Sequence, residues 1–182
     1  MPIVISSKNI FSIQADAIGN TVNCVGYMGK GLAGEVKNRY PAVFDAYRQD
    51  CGFRCMCDGT PDKARRPTDY RPFCLISHPT GDCSVHTVRP GRVAAYQTHD
   101  LFGPRFVINI VTKRHWMDKS RIDDIESGLE ALVNLLGEPR LSSLKSIALP
   151  TLGCSNGGLT WKRVRPLMER HLAPLAERLD IT

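Results

Sequence analysis

The sequence predicts an α/β layered domain with helices on both faces of a sheet. Strand-like and helix-like apolar patterns alternate through the second half of the chain, and two glycine-bearing loops each follow a predicted strand. The 182 residues, 42% of them apolar and 23% charged, are enough to fill one globular core of ordinary size.

Taken in order, residues 2–6 alternate weakly and read as a first strand, and residues 17–22 read as a second that turns at Gly26. Leu32, Val36, Tyr40, Phe44 and Tyr47 have helical spacing interrupted by Pro41, which predicts two helical pieces or one kinked helix. Residues 51–92 change character to cysteines, prolines, glycines and bases, an insertion with one strand candidate at residues 73–76. Residues 92–97 and 105–111 read as strands, the second apolar enough to be central. Ser120 with Asp123 resembles a capping box one methylene short. The apolar face of Ile122, Ile125, Leu129, Leu132, Val133 and Leu136 follows it and closes at Gly137. Residues 146–149 form a short buried strand and residues 150–159 a glycine loop. The last helix starts at Thr160 as N-cap, buries Val164, Leu167, Met168, Leu172 and Leu175, and is kinked at Pro166 and Pro174.

Composition narrows the function classes. The first six residues lack a basic leader and a cleavage site, and no apolar run reaches the roughly 20 residues of a spanning helix. A soluble, cytoplasmic protein with no membrane partner is expected. Seven cysteines, an odd count, suit a reducing compartment with free thiols or metal ligands. The net charge of +6 and a pI near 9.0 favour a polyanionic partner.

The first glycine loop runs Asn20-Thr21-Val22-Asn23-Cys24-Val25-Gly26-Tyr27-Met28-Gly29-Lys30-Gly31-Leu32-Ala33. Glycines let backbone N–H groups approach a phosphate, and a helix starting near Leu32 points its positive end there. Taken alone, a plain strand-to-helix turn explains the loop equally well. With residues 153–158 beside it at one sheet edge, the pair would form a phosphate cleft.

Residues 20–33, Thr112-Lys113-Arg114-His115-Trp116 and Leu152-Gly153-Cys154-Ser155-Asn156-Gly157-Gly158-Leu159-Thr160-Trp161 together resemble the macrodomain family. They look most like its DarG-like branch of DNA ADP-ribosyl glycohydrolase antitoxins, related to the terminal ADP-ribose protein glycohydrolase. The resemblance covers about residues 1–50 and 92–180 and leaves the insertion unexplained. It implies one macrodomain over residues 1–182, a three-layer α/β/α fold with a mixed central sheet, holding ADP-ribose as ligand and product with no cofactor or metal. By motif, Gly29, Lys30, Gly31 and Leu32 would line the diphosphate and distal ribose. Asn20 and Thr112 would join the ligand-binding set, and Asn23 would touch the ribose near the scissile bond. Gly153, Cys154, Ser155, Asn156, Gly157 and Gly158 would form the opposite wall.

The implied reaction removes ADP-ribose from thymidine in single-stranded DNA, reversing a toxin, with ADP-ribosylated DNA as substrate and a DarT-like toxin as partner. Two alternatives are a hydrolase of protein-linked ADP-ribosyl esters or O-acetyl-ADP-ribose, and a non-catalytic ADP-ribose reader. Lys113 is the expected catalytic residue, because this branch resembles the chain in placing a required lysine in that segment. Partial desolvation and its neighbours Arg114 and Lys119 would lower its pKa. A neutral amine would attack the anomeric carbon or the opened ribose aldehyde, and an ammonium would stabilise the leaving group; both roles stay open.

The chain departs from the family in two places. Gly157 stands where the protein-directed relative carries a catalytic aspartate, which moves the reading towards DNA. Asn9, within Lys8-Asn9-Ile10-Phe11, stands where the acid that binds the adenine amino group is common, and an amide accepts that bond without charge. Arg114, His115, Lys119 and Arg121 would hold a DNA backbone or form a solvated basic face. Trp116 could stack on a base, Trp161 reads as packing, and Asp16 reads as a strand-end residue. Cys51, Cys55, Cys57, Cys74, Cys83, His78 and His86 offer zinc ligand types without paired Cys-x-x-Cys spacing, so a thiol-rich loop is the preferred reading. Residues 180–182 resemble the start of a further strand. Either the sequence is one domain of a longer protein, such as an antitoxin with a toxin-binding C-terminal part, or that edge strand is missing.

Overall fold

The computed structural model describes residues 3–51 and 89–182. Its elements run β1 (Ala17–Asn23), α1 (Gly31–Arg39), α2 (Pro41–Asp50), β2 (Val93–Gln97), β3 (Phe106–Lys113), α3 (Ile122–Leu136), β4 (Ser146–Ala148), α4 (Trp161–Leu172) and β5 (Asp180–Ile181). The strands form one sheet in the order β2-β3-β1-β4-β5. β1 pairs in parallel with β3 and β4, β4 pairs in parallel with β5, and β2 is antiparallel to β3, so the sheet is mixed.

Alternation along the strands sends side chains to two cores. Ile108 and Ile110 of β3 pack with Ile125, Leu129, Leu132 and Leu136 of α3 and with Val164, Met168 and Leu172 of α4. Val107 and Val111 of the same strand pack with Ile18 and Val22 of β1, and with Val36, Val43 and Tyr47 of α1 and α2. Helices therefore cover both faces and the layers are α/β/α. Each fully buried aliphatic side chain contributes about 1.5–3 kcal/mol, and the clustering of many of them on α3 and β3 explains why these two elements are so clear in the sequence.

Pro41 splits the first helical region into two helices. Tyr40 before it takes φ −130° and ψ 68°, outside the helical region, because the proline ring crowds the residue that precedes it. Residues 3–6, expected as a strand, are not one: Val4 donates a single backbone bond to Ile181 O at 2.9 Å, and Val4 and Ile5 are exposed and bury no face. The expected capping box is also absent. Arg121 is the N-cap of α3 without a side-chain bond, and the Ser120 Oγ is buried without a partner among the described residues. Ser120 is instead drawn under the second glycine loop, where its N–H donates to Gly157 O at 2.8 Å. Gly137 closes α3 in a right-handed conformation. Helix α4 passes through Pro166, and Pro174 falls in a separate short turn, Ala173–Leu175. The strand candidate at residues 73–76 and all proposed zinc ligands except Cys51 lie outside the described residues.

Candidate active site

Parallel β1, β3 and β4 all end at the same sheet edge, and the loops that follow them enclose a crevice of about 580 Å³. That volume falls within the roughly 300–1,000 Å³ of small-molecule sites, and strand ends of an α/β sheet are where such sites gather. One wall is residues 29–33, the other residues 153–157, and Asn23, Thr112 and Lys113 lie between them.

The first wall is held from behind by Asn23. Its Oδ1 accepts from Val25 N at 3.0 Å, Tyr27 N at 3.3 Å and Tyr47 Oη at 3.2 Å, while its Nδ2 donates to Tyr27 O at 2.6 Å. Both ends of this buried amide are thus spent on shaping the loop. Helix α1 begins at Gly31, and the first amide whose acceptor is a carbonyl on the preceding turn is Gly34, to Lys30 O at 3.2 Å. The N–H groups of Gly31, Leu32 and Ala33 therefore have no intrahelical acceptor, and all three residues line the crevice. With the helix dipole behind them they offer donors that suit an anion. Gly31 has φ +56°, a conformation that side chains disfavour, which explains glycine at the turn into the helix.

The second wall is as closely packed. A Cβ on Gly157 would overlap the Gly153 carbonyl oxygen and Ser120 Oγ and stand 2.7 Å from the Gly153 carbonyl carbon. No side chain fits there. The absence of an aspartate at this position is thus built into the loop's packing and is more than a single exchanged residue.

Lys113 closes the space between the walls. A register shift between Val22 and Asn23 pairs Asn23 with Lys113, at the end of β3. The Lys113 Nζ donates to Asn156 O at 3.1 Å, Trp116 O at 3.3 Å and Asp118 O at 3.4 Å. Burial lowers its pKa and the Asp118 carboxylate opposes that shift. The expected contribution of Arg114 and Lys119 is not among the causes, so desolvation does the lowering. Three carbonyl oxygens match the three N–H donors of an ammonium.

Of the residues singled out from sequence, the crevice gathers Asn23, Gly29, Lys30, Gly31, Leu32, Thr112, Lys113, Trp116, Gly153, Cys154, Ser155, Asn156 and Gly157. Asn9, Asn20 and Gly158 are not in its lining. The Asn9 Oδ1 accepts from Phe11 N at 3.0 Å and caps a short turn. Asn20 is buried in the sheet, donating from Nδ2 to Asn109 Oδ1 at 2.8 Å. Arg114, Lys119 and Arg121 are exposed, but His115 is buried, with Nδ1 accepting from Met117 N at 3.3 Å, so its ring is not a surface contact. Burial also lowers its pKa, with Asp118 opposing and Lys113 reinforcing the shift. Asp16 accepts from Lys145 N at 2.7 Å and Ser146 N at 3.1 Å just before β1, a strand-end role. Thr21, Val22, Tyr27, Ala33, Met117, Pro150 and Thr151 also line the crevice, outside the set that the sequence points to. Thr21 was legible in principle, since it alternates with Asn20. No group of three or more metal-ligating side chains occurs among the described residues. Burial pushes the Cys24 and Cys51 thiols up to about 12, which disfavours the nucleophilic thiolate in both.

Two backbone-lined turns, a helix N-terminus and a desolvated lysine at the strand ends make a concave site whose donors and charge suit a phosphate-bearing small molecule. The Macro domain family model matches residues 78–168. The DNA ADP-ribosyl glycohydrolase of Mycobacterium tuberculosis is 32% identical over 162 residues, covering 89% of this chain and 36% of that protein. A DNA ADP-ribosyl transferase-DNA ADP-ribosyl glycohydrolase fusion protein of Thermosipho africanus is 32% identical over 167 residues, covering 92% of this chain and 38% of that protein. The solved macrodomain of Mycobacterium tuberculosis DarG superposes with a TM-score of 0.74 at 30% identity, over 99% of this chain and 95% of that one. Thermosipho africanus DarTG in complex with ADP-ribose gives 0.67 at 27% identity, over 95% of this chain and 38% of that one. The chain belongs to the macrodomain family, and it spans little more than a third of the length of these two full-length relatives.

Proposed function

We propose that this domain is an ADP-ribosyl glycohydrolase that removes ADP-ribose from thymidine in single-stranded DNA. The observation that carries the reading is the Lys113 Nζ in the crevice between the two phosphate-binding turns, tied to the second by Asn156 O at 3.1 Å. It is supported by relatives named for that activity and by a relative solved with ADP-ribose. The diphosphate lies against the α1 N-terminus and the glycine turns, which brings the distal ribose to Asn23 and Lys113. Hydrolysis breaks the bond from the ribose C1 to the base nitrogen; the electron pair and a proton go to the base, and water supplies the new C–O bond. The carbonyl cradle favours Lys113 as an ammonium that stabilises the departing base, over a neutral nucleophile. The chemistry requires no metal or cofactor.

The modification to be reversed would come from a DarT-like toxin, a pairing that the transferase–glycohydrolase fusion in Thermosipho africanus supports. Exposed Arg114, Lys119 and Arg121 would hold the strand's phosphates, and the site of action would be the cytoplasm. Incubation with an ADP-ribosylated thymidine oligonucleotide tests the reading. We expect the unmodified strand to be released, and Lys113→Ala to abolish release while ADP-ribose still binds. Full activity in that variant would refute it. Release only from a modified protein glutamate or from the free acetyl ester would redirect it to ester hydrolysis.

A further inference from the structure

The geometry points to an acceptor subsite at the mouth of the crevice, in which a flat nucleobase stacks on the indole of Trp116; this rests on the glycohydrolase reading above. Trp116 and Tyr27 are large aromatic residues that line the crevice yet remain 42% and 52% exposed. Aromatic rings of this size usually bury their faces, so a half-open pair inside a concave site is a surface waiting for a planar partner.

The pair is held rigidly from both sides. The Tyr27 backbone is gripped by the Asn23 amide at N and O, and its ring lies so close over Gly29 that a Cβ there would stand 2.6 Å from Tyr27 Cζ. Trp116 leans on that ring with centroids 5.5 Å apart and tilted by 40°, and on the buried His115 ring at 5.3 Å. The carbonyl of Trp116 itself accepts from Lys113 Nζ at 3.3 Å. The residue whose carbonyl holds the amine therefore also carries the exposed ring, so the platform and the Lys113 amine belong to the same crevice lining. An aliphatic ester has no π face to offer, so the platform selects a base over a carboxylate acceptor.

The test uses the turnover-deficient Lys113→Ala protein and two probes of the same base sequence. One is an oligonucleotide carrying ADP-ribose on thymine, the other the same oligonucleotide carrying it on a terminal phosphate. We expect tighter binding of the base-linked probe, a preference that Trp116→Ala lowers roughly tenfold or more, the size of one base–aromatic stack, and that Trp116→Phe largely keeps. An unchanged preference in Trp116→Ala, or an equal loss in Trp116→Phe, would overturn the subsite. So would a protein that binds free ADP-ribose but does not distinguish the probes, while the binding half of the parent reading stands. Failure to bind ADP-ribose at all would bring down both.

Discussion

Substituting Gly157 by alanine places one methyl group where the second wall of the crevice has no room. The added Cβ overlaps the carbonyl oxygen of Gly153 and the hydroxyl of Ser120, and lies 2.7 Å from the Gly153 carbonyl carbon. The hydroxyl can rotate away, but the carbonyl belongs to the same loop, which is tied through Leu159 N to Gly153 O at 3.0 Å and through Ser120 N to Gly157 O at 2.8 Å. Overpacking of this kind costs about 1–3 kcal/mol. At this chain length each kcal/mol lowers Tm by roughly 2–4 °C, so a fall of roughly 2–12 °C is expected. The larger effect falls on function, since a displacement of about 1 Å in a positioning group reduces turnover roughly a hundredfold. Thermal melting, ADP-ribose titration and release from the modified oligonucleotide together read these effects. Ser120→Gly in the same protein removes one overlap and leaves the carbonyl one, so it should recover only part of the loss. A Gly157→Ala protein that melts within about 1 °C of the parent and binds ADP-ribose at full strength would refute the packing account, and complete recovery in the double variant would show that the backbone contact is unimportant.

Asn23→Ala removes the acceptor for Val25 N and Tyr27 N and the donor to Tyr27 O, while Tyr47 Oη keeps the Asn23 main-chain oxygen at 2.6 Å; a loss of about 2–4 kcal/mol and weak ADP-ribose binding should appear in denaturant unfolding and titration. Leu129→Ala, at a fully buried α3 position far from the ligand, should cost about 2–5 kcal/mol and lower Tm with ADP-ribose affinity retained in the folded fraction. Burial keeps the pKa of Lys113 below that of an ordinary lysine. A step that needs its ammonium should therefore lose kcat/KM as pH rises, below the ordinary value of about 10.4, whereas a neutral nucleophile would make the rate climb instead. The native state also binds fewer protons than the unfolded chain between those two pKa values, so stability rises with pH across that window, a rise that Lys113→Met should remove.

Much of the site can be read from the linear sequence because its parts are local. The apolar run of β3 ends at Thr112 and Lys113, and each glycine loop announces itself next to its strand, so thirteen of the residues that the sequence singles out share one crevice. What could not be read are choices between partners. The motif points to Asn9 and Asn20, but Asn9 finds a nearer partner in Phe11 N, and Asn20 pairs with Asn109 across the sheet. Ser120 fits a capping pattern, yet the second loop claims its backbone, and the helix starts without it.

By itself the sequence determined the type of most elements, residues 3–6 excepted, and the loops that would carry backbone donors, since periodicity and glycine act over a few residues. Only the tertiary structure decided that Lys113 reaches Asn156, 43 residues away, and that Tyr27 meets Trp116. The lysine's acceptors are backbone carbonyls, which have no side-chain signature, and ring meets ring only after the sheet has set the end of β1 beside the end of β3.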